Sequence, residues 1–578
     1  MTTNRFRLRR DDGGRDVLEV SQRGPAMLRQ PLLNKGTGFT ARERREFHLE
    51  GVLPTQFASI DLQARRIYAQ ICGYADPLQR YISLAALQDR NEHLFYRVLV
   101  DHLAELMPIV YTPTVGLATQ RYSQTYRRAR GLWITPDYRG RIAEVLRHAS
   151  PWADVDLIVC TDNEAILGIG DQGAGGIAIC VGKLALYCAG AGIHPSRTLP
   201  ISLDVGTDNE ELLGSDLYLG WPHRRLRGPA YDALVAEFVQ AVRTVFPGAL
   251  VQWEDFRHQN ALAILEHYRH SLLSFNDDVQ GTGAVALAGV LTALRVTRQS
   301  LADQRILILG AGAAGYGIAR QLRAGLADVG VVGDAVFPCL AAVDRHGLLV
   351  AEDGLSDYKR DLAWPPGLAA EYGLDQAGAR DLLQTVRNWK PTVLIGASGA
   401  AGAFDQAVVR SMAESVERPI VMPFSNPTAN AEAVPADVLR WSDGRALIAT
   451  GSPFDDVFYG ERRYRIGQGN NVFIFPGLGM GALLAGAREV TDGMISAASA
   501  ALARAVTADE LQQGLLFPAI ERLREVSAVV AEAVVVRAAQ DGVAEPTSGD
   551  VAQRVRKAMW EPRYPDFVPV GPAGVRAE

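Results

Sequence analysis

The chain has 578 residues, is 48% hydrophobic and 21% charged, and carries a formal net charge of −6. That length supports several domains, the composition is that of an ordinary globular protein, and the small negative charge excludes a global basic field for nucleic acid. The basic start Arg5-Phe-Arg-Leu-Arg-Arg10 lacks the apolar stretch of a secretory signal, and no uninterrupted apolar run reaches about 18 residues, so no membrane span is expected.

Residues 1–40 are polar, Gly- and Arg-rich, and read as irregular. From about 41 to 101 apolar residues recur at three- and four-residue steps, as in Asn91-Glu-His-Leu-Phe-Tyr-Arg-Val-Leu99, which predicts helices. Met107-Pro-Ile-Val-Tyr-Thr-Pro113 sets Tyr111 at the end of an apolar run, where it is either a proton donor or a core aromatic. From Val155 short apolar runs alternate with Gly turns and helical stretches: 155–159, 200–205 and 249–253. This is the pattern of βαβ units on a parallel sheet. Lys183 lies inside the apolar, Gly-rich stretch 173–192. Burying an ammonium is costly, so Lys183 is either a base of lowered pKa or a snorkelling side chain. The five cysteines (Cys72, Cys160, Cys180, Cys188, Cys339) are scattered without a CxxC pair and read as reduced packing thiols of a cytoplasmic protein.

Val251-Gln-Trp-Glu-Asp-Phe256 and Leu272-Leu-Ser-Phe-Asn-Asp-Asp278 each read as a buried strand ending in adjacent acids. Like charges crowded there repel unless a cation neutralises them, so Glu254, Asp255, Asp277 and Asp278 point to a hard divalent cation, Mg²⁺ or Mn²⁺. Acids capping the following helices are the other reading.

A second α/β block begins near Asp277, with strands expected at 305–309, 339–343, 392–395, 420–423 and 446–449. Its first strand runs into Gly310-Ala-Gly312-Ala313-Ala314-Gly315 and a helix, the context of a dinucleotide site. Asp344 ends the next strand and would bond a ribose 2′-OH, favouring NAD, whereas Arg345 beside it leaves NADP open. The polar stretch 348–390 is expected to be a surface excursion, 482–539 helical, and the Pro-bearing tail from 546 a segment wrapping on a neighbour. Asn426 and Asn471 follow or precede apolar runs, where they serve as ligand contacts or turn residues.

Together these blocks resemble malic enzyme over roughly 33–562. They are Leu106-Met-Pro-Ile-Val-Tyr-Thr-Pro-Thr-Val-Gly116, Ile166-Leu-Gly-Ile-Gly-Asp171, Val181-Gly-Lys-Leu-Ala185, Leu203-Asp-Val-Gly-Thr-Asp-Asn209, Trp253-Glu-Asp-Phe256, Phe275-Asn-Asp-Asp-Val-Gln-Gly-Thr282, Ser425-Asn-Pro-Thr428 and Gly469-Asn-Asn-Val472. The resemblance implies oxidative decarboxylation of L-malate with NAD(P)⁺ and Mn²⁺ or Mg²⁺, in a homodimer or homotetramer. Glu254, Asp255 and Asp278 would then be metal ligands, Lys183 the general base, Tyr111 the general acid and Asp277 the acid that tunes the base. Asn426 and Asn471 would contact substrate or nicotinamide.

The implied architecture is multidomain α/β. A helical N-terminal domain (1–129) precedes a catalytic α/β domain split into 130–276 and 471–542, with an inserted Rossmann-like domain (277–470) and a C-terminal extension (543–578). The active site is expected in the cleft between the two α/β domains. One departure stands out. Many members carry an Arg after the acid matching Glu164, where it grips a malate carboxylate, and this chain has Ala165. A small residue there also occurs in malolactic enzymes, which release lactate, so that reading stands as an alternative. Gln63, Arg66 and Arg90 fall where some members bind fumarate, a second, regulatory site by resemblance. A non-catalytic sensor built on the fold is the alternative of another class.

Overall fold

The computed structural model describes residues 6–10, 16–166, 168–352, 355–376, 378, 380–546 and 548–571. They form two compact units, one from 1–249 with 557–578 and one from 250–556.

The first unit opens with an antiparallel hairpin, β1 (Phe6–Arg10) and β2 (Asp16–Val20), where irregular chain was expected. Leu18 and Val20 share one face of β2 and bury it against Met27, Leu33, Phe39 and Phe47. The C-terminal strand Asp566–Pro569 pairs parallel with β2 and adds Phe567 to this core, so the tail folds onto its own chain. The expected helices follow: α1 (Ile60–Cys72), α2 (Pro77–Gln88), α3 (Glu92–Asp101) and α4 (Leu103–Val110). Ser59, Asp76 and Asn91 cap the first three, each side chain accepting a backbone N–H of the first turn.

Strands β3 (Leu132–Ile134), β4 (Leu157–Thr161) and β5 (Thr198–Leu203) run parallel in the order β3-β5-β4. Between β4 and β5 lies α5 (Ile177–Leu186), and α6 (Pro229–Val245) follows β5. β4 and β5 are buried along their whole length, as parallel strands covered on both faces must be. β3, too short for a clear apolar run, is absent from the sequence reading.

In the second unit β6 (Leu250–Glu254) and β7 (Ser274–Asn276) pair in parallel around α7 (His258–Tyr268). After α8 (Thr282–Thr297) come β8 (Ile306–Leu309), α9 (Ala313–Asp328), β9 (Leu340–Asp344), β10 (Gly347–Leu348), β11 (Val393–Gly396), β12 (Ile420–Pro423) and β13 (Leu447–Thr450). A small hairpin, β14 (Val457–Tyr459) with β15 (Arg462–Tyr464), precedes β16 (Gly467–Gln468). The sheet order is β10-β9-β8-β11-β12-β13-β16, all parallel except β10. The chain enters at β8, steps one way to β9 and then returns to the other side at β11. The crevice between the carboxyl ends of β8 and β11 is therefore the switch point, where such sheets bind ligands.

The stretch 348–390 is only partly a surface excursion. Trp364 and Trp389 are buried, their rings edge to face at 5.2 Å, and Trp364 Nε1 donates to the Leu340 carbonyl. Single apolar residues among polar ones carry no period, so the sequence pattern hid them.

Two helical stretches, Gly173–Ala191 and Asp277–Thr297, are long and apolar enough to cross a membrane by length and composition, although no uninterrupted apolar run announced them. Their apolar windows are 94% and 78% buried inside the protein, so both are core helices.

Candidate active site

β6 ends at Glu254, and the next residue, Asp255, takes φ +60°. In an extended strand adjacent side chains point to opposite faces, which would send Glu254 and Asp255 apart. The left-handed turn breaks that alternation. Asp278 comes from a π-helical turn, Asp277–Gly281, directly after β7. One ligand oxygen from each of Glu254, Asp255 and Asp278 lies within 4.8 Å of the others. Gln252 Nε2 donates to Glu254 Oε2 at 2.8 Å, and the Asp255 N–H donates to Asp278 Oδ2 at 2.8 Å. Three buried or half-buried carboxylates of fixed orientation suit a hard divalent cation, which takes oxygen ligands and keeps some of its own water.

Asp277, fourth in the sequence reading, is set apart from this cluster by its partner. Asn471 Nδ2 donates to Asp277 Oδ2 at 3.0 Å, and also reaches the Asp277 carbonyl and Thr282 Oγ1. Gly281 makes room, since a Cβ there would sit 2.1 Å from Asp277 Oδ1. The Asn471 amide nitrogen thus holds a carboxylate, where a substrate or nicotinamide contact was expected.

In the first unit Lys183 lies on α5 and is only 2% exposed, which disposes of the snorkelling reading. Its Nζ stands 5.3 Å from the centroid of the Tyr111 ring. Tyr111 follows α4 and is half-buried. Gly182 permits this approach, because a Cβ there would lie 2.7 Å from the Val110 carbonyl and 3.2 Å from Tyr111 Cδ2. The structure therefore brings together the two residues expected to move protons.

The three glycines after β8 have three separate reasons. Gly310 has φ +112° and a Cβ on it would strike the Ala397 carbonyl at 2.3 Å. A Cβ on Gly315 would meet the Gly310 carbonyl at 1.9 Å, so helix and strand pack backbone to backbone. Gly312 faces open space. The first intrahelical bond of α9 runs from Tyr316 N to the Gly312 carbonyl, so the N–H groups of Ala313, Ala314 and Gly315 precede it at the positive end of the helix. Those features fit a dinucleotide pyrophosphate.

At the end of β9, Lys359 Nζ binds Asp344 Oδ2 at 2.6 Å, and the His346 N–H donates to Oδ1. Burial pushes the Asp344 carboxyl up, but these two donors outweigh it and hold its pKa below the ordinary value. At the ends of β11 and β12, Glu432 accepts from Ser398 N and Oγ and from Ser425 N and Oγ, tying the loops that follow these two strands. Asn426 next to it is exposed, with Oδ1 accepting from Ser452 Oγ. Sequence reasoning passed over Lys359, Glu432 and Ser452. Only Glu432 left a trace, as an isolated acid in Ala431-Glu-Ala-Val434.

A second charged group closes the carboxyl ends of β4 and β5. Arg225 donates through Nη1 to the Asp162 carbonyl and through Nε and Nη2 to the Asp171 carboxylate. Tyr231 O–H donates to Asp162 Oδ2 at 2.7 Å. Burial is the largest influence on Asp162 and raises its pKa to about 6 against the pull of Arg225 and Tyr231. The three residues of the expected regulatory site differ in burial. Gln63 is buried, with Nε2 donating to the Lys35 and Ala58 carbonyls and Oε1 accepting from Tyr564, while Arg66 and Arg90 are exposed.

Comparison with known proteins gives consistent matches. Residues 88–269 match the family model described as malic enzyme, N-terminal domain, and 279–539 the one described as malic enzyme, NAD binding domain. NAD-dependent malic enzyme 3 of Bacillus subtilis is 46% identical over 550 residues, 95% of this chain and 97% of that protein. An NAD-dependent malic enzyme of Photorhabdus laumondii is 46% identical over 549 residues, with the same coverage of 95% and 97%. Among solved structures, the malic enzyme of Entamoeba histolytica aligns with a TM-score of 0.54 at 23% identity, over 89% of this chain and 91% of that one. At that identity the likeness speaks for the fold alone.

Proposed function

This chain belongs to the malic enzyme family, and from that premise we propose how its residues carry the NAD-dependent oxidative decarboxylation of L-malate to pyruvate and CO₂. The observation that supports the assignment of residues best is the burial of Lys183 beside Tyr111. Lys183, in its neutral form, takes the proton from the C2 hydroxyl of malate as hydride leaves C2. Gly310, Gly312 and Gly315, with Asp344 for the adenosine ribose, would hold NAD⁺, which would supply the hydride acceptor. Glu254, Asp255 and Asp278 would hold a divalent cation, which would supply the Lewis-acid polarisation that loss of C4 as CO₂ requires. Tyr111 then donates its hydroxyl proton to C3 and is reprotonated through Lys183. Asn471 fixes Asp277, and Asp277 supports the base. Asn426, exposed and held through Oδ1 by Ser452 Oγ, is assigned to the nicotinamide or substrate.

Malolactic chemistry is the weaker reading, because relatives named NAD-dependent malic enzyme match 95% of the chain. The intact set Tyr111, Lys183, Glu254, Asp255 and Asp278 speaks against a non-catalytic sensor. We assign the enzyme to the cytoplasm and to a homodimer or homotetramer, which light scattering of the purified protein decides. The activity is tested with L-malate, Mn²⁺ and NAD⁺, following reduced nicotinamide and assaying pyruvate and lactate together. Pyruvate stoichiometric with NADH is expected, and lactate without net reduction would overturn the reading.

A further inference from the structure

We propose that Arg227 binds a carboxylate of the substrate and thereby sets the selectivity for malate, an inference that rests on the malate reading above. The substrate is a dianion, and Lys183 must be neutral to act as the base, so recognition of charge on this unit falls to another cation. Ligands of parallel sheets gather at the carboxyl ends of the strands. In the first unit, the carboxyl ends of β4 and β5 feed the loops carrying Asp162 to Ala165 and Asp204 to Asp208. Three arginines return to this edge, and they differ in what their guanidinium groups have left to give.

Arg225 is spent: its side chain is 1% exposed, and Nε, Nη1 and Nη2 all donate to Asp171 or the Asp162 carbonyl. Arg224 is exposed and pairs with Glu210. Arg227 is 46% exposed, and its Nη2 alone donates to both Glu164 Oε1, at 2.9 Å, and Asp208 Oδ2, at 2.6 Å. Its Nε and Nη1 make no hydrogen bond with the described residues. One nitrogen held by carboxylates from two loops fixes the plane of the guanidinium and leaves the rest of the fork to a ligand. A planar fork of this kind recognises carboxylate by paired N–H donors, which an ammonium cannot do. Beside Glu164 stands Ala165, whose small side chain adds no cation of its own.

A guanidinium that merely stapled two loops would have the same two anchors, so the test reads substrate binding separately from stability. The full chain with Mn²⁺ and NAD⁺ is assayed as wild type, R227Q and R227K. Losing a charge-assisted hydrogen bond predicts a malate KM raised about 10- to 100-fold in R227Q, with the KM for NAD⁺ within about twofold. R227K keeps the charge without the fork and falls between. R227A should regain part of its malate affinity with added ethylguanidine, which no loop staple would show. An R227Q enzyme that still forms pyruvate with an unchanged malate KM overturns the assignment and leaves the proposed function standing. If R227Q fails to fold, an unchanged malate KM in R227K does the same. A wild type that forms no pyruvate overturns both.

Discussion

Acids crowd the carboxyl ends of strands in both units, and the two groups are solved in opposite ways. After β4 and β5, Asp162 and Asp171 are met by the buried fork of Arg225 and by the Tyr231 hydroxyl. After β6 and β7, Glu254, Asp255 and Asp278 turn toward one another. The first arrangement carries its own counter-charge and acts as scaffold. The second gathers three carboxylate oxygens into a donor set that suits a divalent cation, and the left-handed turn at Asp255 breaks the strand alternation that would send Glu254 and Asp255 apart. Acid count at a strand end does not distinguish scaffold from site; the way the carboxylates converge does.

The contrast is broken most directly at the cation site. Asp278→Asn should lower Mn²⁺-supported turnover on the order of 10³-fold while leaving thermal stability unchanged or raised, as read by steady-state rates and a melting curve. A large drop in Tm would mean that this cluster is scaffold after all. The reverse pattern is expected of Arg225→Leu, which strands Asp162 and Asp171. Urea unfolding should show a loss of about 3–5 kcal/mol, and Mn²⁺ affinity measured on the folded fraction should be unaltered. Asn471→Ala tests an intermediate case, a residue that holds an acid next to the cluster. Turnover should fall about 10- to 100-fold with a smaller change in stability, and an unaffected kcat would remove Asp277 from the catalytic set.

The smallest effect is a pH window. Asp162 binds its proton more tightly folded (about 6) than unfolded, where an aspartate titrates near the model value of 3.8. The folded state therefore holds the extra proton between those values, and stability falls as pH rises from about 4 to about 6, then stays flat. Asp162→Asn should flatten that segment of a stability–pH curve by on the order of 3 kcal/mol. An unchanged slope would place the titration elsewhere.

Most strands of both parallel sheets were legible because buried strands announce themselves as short apolar runs, and observed limits agree within a residue or two at β8, β9, β11, β12 and β13. The acids, Lys183 and the glycine turn were legible because each violates its surroundings: charge after apolar runs, or glycine where a side chain would be ordinary. Arg225, Lys359 and Glu432 were not. Each sits in locally polar or unremarkable sequence and gains meaning only from a partner many residues away. The hairpin at the N-terminus was lost for a similar reason, since its apolar face is completed by Phe567.

That last contact also has a consequence in time. Leu18, Val20, Phe39 and Phe47 leave the ribosome well before Phe567, the ring that completes their core. At ordinary rates of synthesis, the early strands wait roughly half a minute to two minutes for their partner. During that interval β2 presents an unpaired edge and an open apolar face. An early segment is thus finished only by a much later one, and nascent chains should depend on holding factors until Phe567 arrives.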